Sequence, residues 1–207
     1  MDKIPLNYEA SEGDTHKQST TRLPQEVVQC LENARFLHLA TCSESVPHVS
    51  LMNYTYLPTS PFTDSPVIVM TTNPASRKTT SILANPNVSL LVHDWVSHRP
   101  PGHARRPSGG SPPREPQSSL AALLLNLNSS SISSISATIG GAARISASGS
   151  EEERYCLDQH LANHVHFVAG EEVSVIIVKI KDVRISDFKG TVRDWAIVPE
   201  GTLVNGH

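Results

Sequence analysis

A proline-rich stretch interrupts this chain and divides its apolar segments into two groups. Residues 98–132 begin with HRPPGHARRPSGGSPPREPQSS, which holds six of the 15 prolines of the chain and four arginines. Because a segment of this composition buries too little apolar area to offset its ordering entropy, we expect a disordered or loosely docked insertion. The core must then be built jointly by the apolar runs that precede and follow it.

The length and composition indicate one folded domain with loose ends. The chain has 207 residues, of which 38% are hydrophobic, 5% aromatic and 18% charged. These fractions are low for a globular domain of this length, so part of the chain is expected to lie outside the core. We predict a disordered N-terminal tail at residues 1–21, a folded domain at 22–190 interrupted by the insertion, and a C-terminal tail at 191–207.

Charge and cysteine usage exclude several classes of protein. The net charge is −3, without the basic excess of a nucleic-acid binder. The longest apolar runs, such as residues 120–125, are far shorter than the roughly 20 residues of a membrane span. The polar N-terminus lacks the apolar stretch of a signal peptide, and the three cysteines predict no disulfide framework. We therefore expect a cytoplasmic protein, with the nucleus left open as a second compartment, and neither a nucleic acid nor a membrane as partner.

The hydrophobic periodicity predicts a mainly β fold with three flanking helices. Helical spacing occurs at residues 25–34, 76–84 and 151–164, and strand-like runs occur at 36–41, 46–57, 66–72, 88–95, 135–146 and 173–186. Short links between the first strands favour antiparallel pairing, and Gly140 with Gly141 inside the fifth strand indicates a bulge or a close approach of another backbone segment. We predict six antiparallel strands in a closed or partly closed barrel.

The most informative stretch is MTTNPASRKTTSILANPNVS at residues 70–89. A strand ends in threonines, and a tight turn leads to a helix whose first residues include Arg77 and Lys78. Two cations in a first helical turn oppose the helix dipole, whereas a bound anion would favour them. This pattern predicts a phosphate site. The alternative is that both residues are ordinary solvated charges on a short helix.

Several segments together resemble the pyridoxamine 5′-phosphate oxidase-like family, the FMN-binding split β-barrels. TTNPASRKTTSILANPNVSLL is similar to the flavin-binding segment of that family, PHVSLMNYTYL to its second strand, and TIGGAARI to a later strand. The resemblance covers residues 23–95 and 135–186. It implies a six-stranded antiparallel split barrel, a homodimer with FMN in a groove between the subunits, and an oxidoreductase.

The resemblance also implies which residues bind FMN. Arg77 and Lys78 would hold the phosphate, and Thr71 and Thr72 would contact the flavin or its ribityl chain. The second strand would lie along the isoalloxazine ring, largely through backbone groups, with the residues Ser50, Leu51, Met52, Asn53, Tyr54 and Thr55. No metal site is predicted, and no acid, base or nucleophile constellation identifies catalytic residues.

The departures from the family argue against a true pyridoxamine phosphate oxidase. Those oxidases carry basic residues where this chain has Ser50 and Thr55, and the predicted helix 151–164 lacks their basic substrate-phosphate motif. Their C-terminal arginine–histidine motif is absent from VRDWAIVPEG. The substrate is therefore left unknown.

Three alternatives remain open at the level of sequence. The protein could be a flavin carrier or sensor without turnover, or its basic proline-rich loop could make it an interaction module. It could also be a haem-binding split barrel that uses the histidines at the end of the third helix and just beyond it, namely His160, His164 and His166. For these histidines we favour surface positions at a polar helix end.

Overall fold

The structure is a computed structural model that describes residues 17–94, 135–163, 173–187 and 191–199. These residues form nine strands and three helices. In chain order the elements are β1 (Gln18–Thr20), α1 (Gln25–Asn33), β2 (Leu37–Ser43), β3 (Val46–Met52), β4 (Thr55–Leu57), β5 (Val67–Thr72), α2 (Arg77–Ala84), β6 (Asn87–His93), β7 (Ile135–Ile145), α3 (Glu151–Asn163), β8 (Ser174–Asp187) and β9 (Val192–Ile197).

All nine strands join one mixed sheet. Its main order is β1-β9-β8-β7-β6-β2-β3, and β5 pairs with both β8 and β4. Every pair is antiparallel except β1 with β9. The paired strands can be followed in the order β3, β2, β6, β7, β8, β5 and β4. The first and last strands of this series, β3 and β4, are consecutive in the chain, because only Asn53 and Tyr54 separate them. The mainly β class with flanking helices is confirmed.

The strand count differs from the predicted six, and the pairing is not wholly antiparallel. The run at residues 46–57 divides into β3 and β4 because the chain changes partner there, from β2 to β5. The side chain between them, Tyr54, is fully buried. A period-two pattern continues through such a break, so the sequence alone does not reveal it.

Two further strands lie in segments that we assigned to the tails. β1 falls within the predicted tail 1–21, and β9 falls within the predicted tail 191–207. β9 pairs with the second half of β8, and Trp195 and Ile197 pack against the core. The three-residue strand β1 then pairs with the outer edge of β9. No local apolar pattern predicts this pairing. The predicted insertion 98–132, Trp95, His164 and His166 lie outside the described residues.

Two groups of buried side chains hold the sheet and helices together. The larger group joins α1, through Val27, Cys30 and Leu31, to one face of β6, β7 and β8. The smaller joins Cys156 of α3 to Val69 and Val175 on the opposite face of β5 and β8. β5 is thus buried on both faces, which explains its continuous apolar sequence.

The predicted irregularity at Gly140 and Gly141 and the predicted helix 76–84 agree with the structure. The pairing of β7 with β8 shifts register between Gly140 and Gly141. Ser76 caps α2, since its hydroxyl accepts a hydrogen bond from the backbone N–H of Thr79. Within the described part of the chain, no helix has the length and apolarity needed to cross a membrane.

Candidate functional site

The candidate site is the junction at which β5 ends and α2 begins. Side-chain hydrogen bonds fix the connecting turn. The hydroxyls of Thr72 and Ser76 lie 3.0 Å apart, and the Asn73 side chain accepts a hydrogen bond from the Ala75 N–H at 2.8 Å. The Thr79 hydroxyl donates to the Asn73 carbonyl at 3.1 Å. The N-terminus of α2 is therefore held in a defined position at the end of a buried strand.

The first two residues of α2 are both cationic, and no acidic residue lies in the same turn. Arg77 is exposed and Lys78 is half-buried. The three ion pairs among the described residues involve other cations, namely Arg144, Arg184 and Arg193. The charges of Arg77 and Lys78 therefore add to the positive end of the helix dipole without compensation. Such a junction attracts an anion, since the first N–H groups of a helix have no intrahelical acceptor.

The two threonines at the end of β5 differ in their hydrogen bonding. Thr72 is bonded to Ser76, whereas the buried hydroxyl of Thr71 has no hydrogen-bond partner among the described residues. A buried polar atom without a partner is costly and is usually satisfied by water or a ligand. The orphaned hydroxyl of Thr71 therefore fits a polar ligand at the end of β5.

The solvent exposure of the predicted ring-binding residues 50–55 changes along the segment. Ser50 is half-buried, with its hydroxyl 3.4 Å from His48 Nδ1, and Leu51 is 59% exposed. Met52 is buried and Asn53 is half-buried at the end of β3. The exposed part of this segment is therefore on the β3 side.

The side chains of Tyr54 and Thr55 are both buried and engaged within the protein. The Tyr54 hydroxyl donates to the Leu31 carbonyl at 2.7 Å. The Thr55 hydroxyl lies 3.1 Å from Nδ1 of His160. Any contact that a ligand makes with these two residues therefore involves their backbone.

The predicted site residues lie on β3, on β4 and the two residues before it, at the end of β5 and at the start of α2. Thr55 pairs with Val69 of β5, so Thr71 and Thr72 follow on the neighbouring strand. At about 3.3 Å per residue, Thr72 lies about 10 Å along β5 from the level of Thr55. α2 starts five residues after Thr72. Thr71 and Thr72 therefore lie on the strand next to Thr55, and Arg77 and Lys78 follow them at the start of α2.

The position of His160 corrects our prediction of surface histidines. His160 is fully buried and contacts Thr55, from which it is separated by 105 residues. It lies one helical turn after Cys156, so both face the sheet from α3. In the sequence, the four-residue spacing of Cys156 and His160 could have indicated that both side chains face the core. It could not have indicated that His160 contacts Thr55. Among the described residues, no group of three His, Cys, Asp or Glu side chains is placed to hold a metal ion.

A cavity of about 620 Å³ opens beside the far end of this strand segment. It lies between α1, β4 and the loop that follows β4. Thr55 and Tyr56 belong to its lining. No sequence pattern indicates this cavity, because its walls come from segments that are distant along the chain.

Fold and junction together define a mainly β protein in which a helix with two cations in its first turn follows a buried strand. The family model of pyridoxamine 5′-phosphate oxidase matches residues 23–187. A pyridoxamine 5′-phosphate oxidase homolog of Schizosaccharomyces pombe is 33% identical over 186 residues, covering 86% of this chain and 92% of the relative. Another homolog, from Saccharomyces cerevisiae, is 32% identical over 184 residues, covering 81% and 92% respectively. The chain belongs to the pyridoxamine 5′-phosphate oxidase family.

Solved structures share the fold at much lower identity. A heme binding protein from Mycobacterium smegmatis has a TM-score of 0.51 at 18% identity, covering 84% of this chain and 59% of that chain. A nimc/nima family protein from Clostridium acetobutylicum has a TM-score of 0.50 at 10% identity, covering 82% and 89%. At these identities the likeness concerns the fold alone.

Proposed function

We propose that this protein binds FMN and acts as a flavin-dependent oxidoreductase whose substrate is unknown. The observation that carries the proposal is the pair of uncompensated cations, Arg77 and Lys78, at the start of α2. They lie at the end of a buried strand that carries an orphaned hydroxyl, Thr71. A flavin phosphate meets both requirements of this junction, a negative charge and hydrogen-bond acceptors.

The proposed fold is a split barrel of six antiparallel strands, with β3 and β4 counted as one broken strand. The support is the pairing path that starts at β3 and returns to β4. In this view β1 and β9 are additions to the outside of the barrel. The split lies where the chain passes from β3, which pairs with β2, to β4, which pairs with β5, and this point is beside the proposed flavin site.

The residues of this chain would position the cofactor rather than react with it. Arg77 and Lys78 hold the phosphate, Thr71 and Thr72 contact the flavin or its ribityl chain, and the backbone of residues 50–55 follows the ring. When bound, FMN supplies the electron-transfer chemistry. No described side chain is assigned as a catalytic acid or base, and a non-catalytic flavin carrier is the alternative.

Vitamin B6 chemistry is not part of the proposal. Ser50 and Thr55 stand where the oxidases carry cations, and the Thr55 hydroxyl is engaged with buried His160. Without cations at these positions, the phosphate of pyridoxamine 5′-phosphate has no partner that orients the substrate against the flavin. We expect turnover of this substrate well below the usual enzymatic range of about 1 per second and above.

We also propose that the protein is a homodimer. Val49 and Leu51 of β3 are each 59% exposed, and Leu91 of β6 is 38% exposed. Leu51 and Leu91 both pair with His38, so they lie in one row on the same face of the sheet. Apolar side chains that are exposed together in this way are typical of an interface.

The visible absorption spectrum of the purified full-length chain tests the cofactor. We expect the two bands of an oxidised flavin, and titration of the flavin-free protein with FMN should restore them. A Soret band would identify a haem protein instead. A protein that binds neither would contradict the proposal.

Turnover and assembly require separate measurements. Reduction of the bound flavin by NADH or NADPH, followed by re-oxidation by a defined acceptor, distinguishes an oxidoreductase from a carrier. Light scattering should give the mass of a dimer, and Leu51→Asp should shift it towards the monomer. A monomer with bound flavin would contradict the proposed dimer.

A further inference from the structure

The cavity beside β4 has an apolar wall that no part of the proposed flavin site uses. Its apolar lining comes from Val28 and Leu31 of α1 and from Pro58 and Pro66, which flank the loop after β4. At about 620 Å³ it lies within the usual range of small-molecule sites, about 300–1,000 Å³. Its size therefore suits a small molecule with an aromatic or aliphatic body.

The carboxylates that line the cavity outnumber its cations. Glu32 and Asp64 contribute two carboxylates, and Arg22 contributes one guanidinium, which leaves one net negative charge on the lining. None of the three takes part in an ion pair among the described residues. Gln25, Val28 and Glu32 follow one another on one face of α1. Glu32 is therefore about 10 Å along the helix from Gln25, at the end away from Arg22.

Tyr56 also lines the cavity, and the charge of Glu32 affects its pKa. Burial raises the pKa of Tyr56 above its ordinary value of 10.0, and the negative charge of Glu32 raises this pKa further. The phenol therefore stays neutral at pH 7, and its ring and hydroxyl oxygen both remain suited to a positive charge. The end of the cavity that contains Glu32 and Tyr56 thus disfavours anions.

We propose that this cavity binds a small organic cation, with its ammonium group towards Glu32 and Tyr56 and its apolar body against Val28 and Leu31. The cavity shares Thr55 with the proposed flavin-binding segment but does not include the junction of β5 and α2, where the charges have the opposite sign. The proposal concerns the binding of an organic cation alone, and it is tested without added FMN.

Two probes of nearly equal shape, benzylamine and benzyl alcohol, test the proposal. Dissociation constants for the full-length protein are measured at pH 7 and low ionic strength by ligand-observed NMR titration. We expect benzylamine, which is cationic at this pH, to bind about tenfold more tightly than the alcohol, through an ion pair and a cation–π contact. High salt should reduce this ratio, because Glu32 is exposed to solvent. Equal affinities, or no binding of either probe, would overturn the proposal.

Substitutions locate the binding to this cavity. Glu32→Gln should bring the two affinities to within about threefold of each other, since the attraction of an exposed ion pair is lost. Asp158→Asn removes a similar charge from the exposed face of α3, outside the cavity, and should leave the ratio unchanged. Val28→Trp should fill the cavity and abolish the binding of both probes, with its melting temperature checked in parallel. An unchanged ratio in Glu32→Gln would refute the assignment to this cavity.

Discussion

The hydroxyl of Tyr54 donates a hydrogen bond to the carbonyl oxygen of Leu31 at 2.7 Å and lies 3.1 Å from the carbonyl oxygen of Ala34. Both carbonyls are at the C-terminal end of α1, where the last turn of a helix lacks intrahelical donors. Tyr54 also occupies the break between β3 and β4. One side chain therefore closes the end of a helix and fixes the point at which the strand changes its partner.

Removal of the Tyr54 hydroxyl should destabilise the fold. Tyr54→Phe leaves buried carbonyls without their donor, and we expect a loss of about 1–2 kcal/mol in the free energy of unfolding. Chemical denaturation measures this loss. Tyr155→Phe is the matched control, because Tyr155 is half-buried and contacts Phe62 through its ring. Equal stabilities of the two variants would show that the Tyr54 hydrogen bonds contribute little.

The two cations of α2 should govern the binding of FMN but not of riboflavin. If each makes a charge-assisted hydrogen bond, Arg77→Ala with Lys78→Ala should cost about 3–6 kcal/mol, or about a hundredfold to ten-thousandfold in affinity. Riboflavin has no phosphate and should be affected far less. Isothermal titration calorimetry with both ligands measures the contrast.

A control for this double variant is available on β8. Lys179→Ala with Lys181→Ala removes two exposed charges at the opposite end of β5 and should leave FMN affinity nearly unchanged. Equal weakening of FMN and riboflavin in the α2 variant would indicate damage to the scaffold and contradict direct phosphate binding.

The two glycines of the β7 bulge should differ in their tolerance of a methyl group. A Cβ on Gly141 would lie 2.7 Å from the backbone carbonyl oxygen of Lys179, whereas the nearest atoms to a Cβ on Gly140 belong to the Asp182 carboxylate. The Asp182 side chain can rotate away, but the backbone of β8 cannot. We expect Gly141→Ala to cost about 1–3 kcal/mol of stability and Gly140→Ala clearly less. Thermal denaturation of the two variants compares them, and the reverse order would contradict this account of the bulge.

Cys156 should make stability fall at alkaline pH. Burial raises the pKa of its thiol to about 11, the Glu152 charge adds to this effect and Arg144 opposes it. The folded state therefore holds the proton more tightly than the unfolded state, whose thiol has a pKa near the ordinary 9.0. This contribution to stability is complete below pH 9 and is lost as the pH rises towards 11.

The matched variants for this pH effect are Cys156→Ala and Cys42→Ala. The free energy of unfolding should fall less between pH 8 and pH 10.5 in Cys156→Ala than in the parent. Cys42 is only half-buried, and Cys42→Ala should keep the slope of the parent. Identical slopes in all three proteins would show that Cys156 does not titrate as predicted.

Local patterns were sufficient for the elements that depend on their own residues. The start of the predicted helix 76–84 is decided locally, because the cap at Ser76 needs only residues of the same turn. Gly140 and Gly141 predict the bulge in β7, because the close approach of β8 there leaves no room for a side chain. The unfavourable position of the Arg77 and Lys78 charges can likewise be recognised in the sequence, because the direction of the chain fixes which end of a helix is positive.

Other features depend on partners that are remote along the chain, and only the tertiary structure decided them. The break at Tyr54 arises where one strand exchanges β2 for β5, and β1 and β9 form because the second half of β8 leaves an edge open. The contact between Thr55 and His160 spans 105 residues. In each case the deciding energy comes from burial and hydrogen bonds between distant segments, which periodicity and local propensity do not encode. The sequence therefore determined where the chain carries charge and where it turns, and the packing of the sheet determined which side chains face one another.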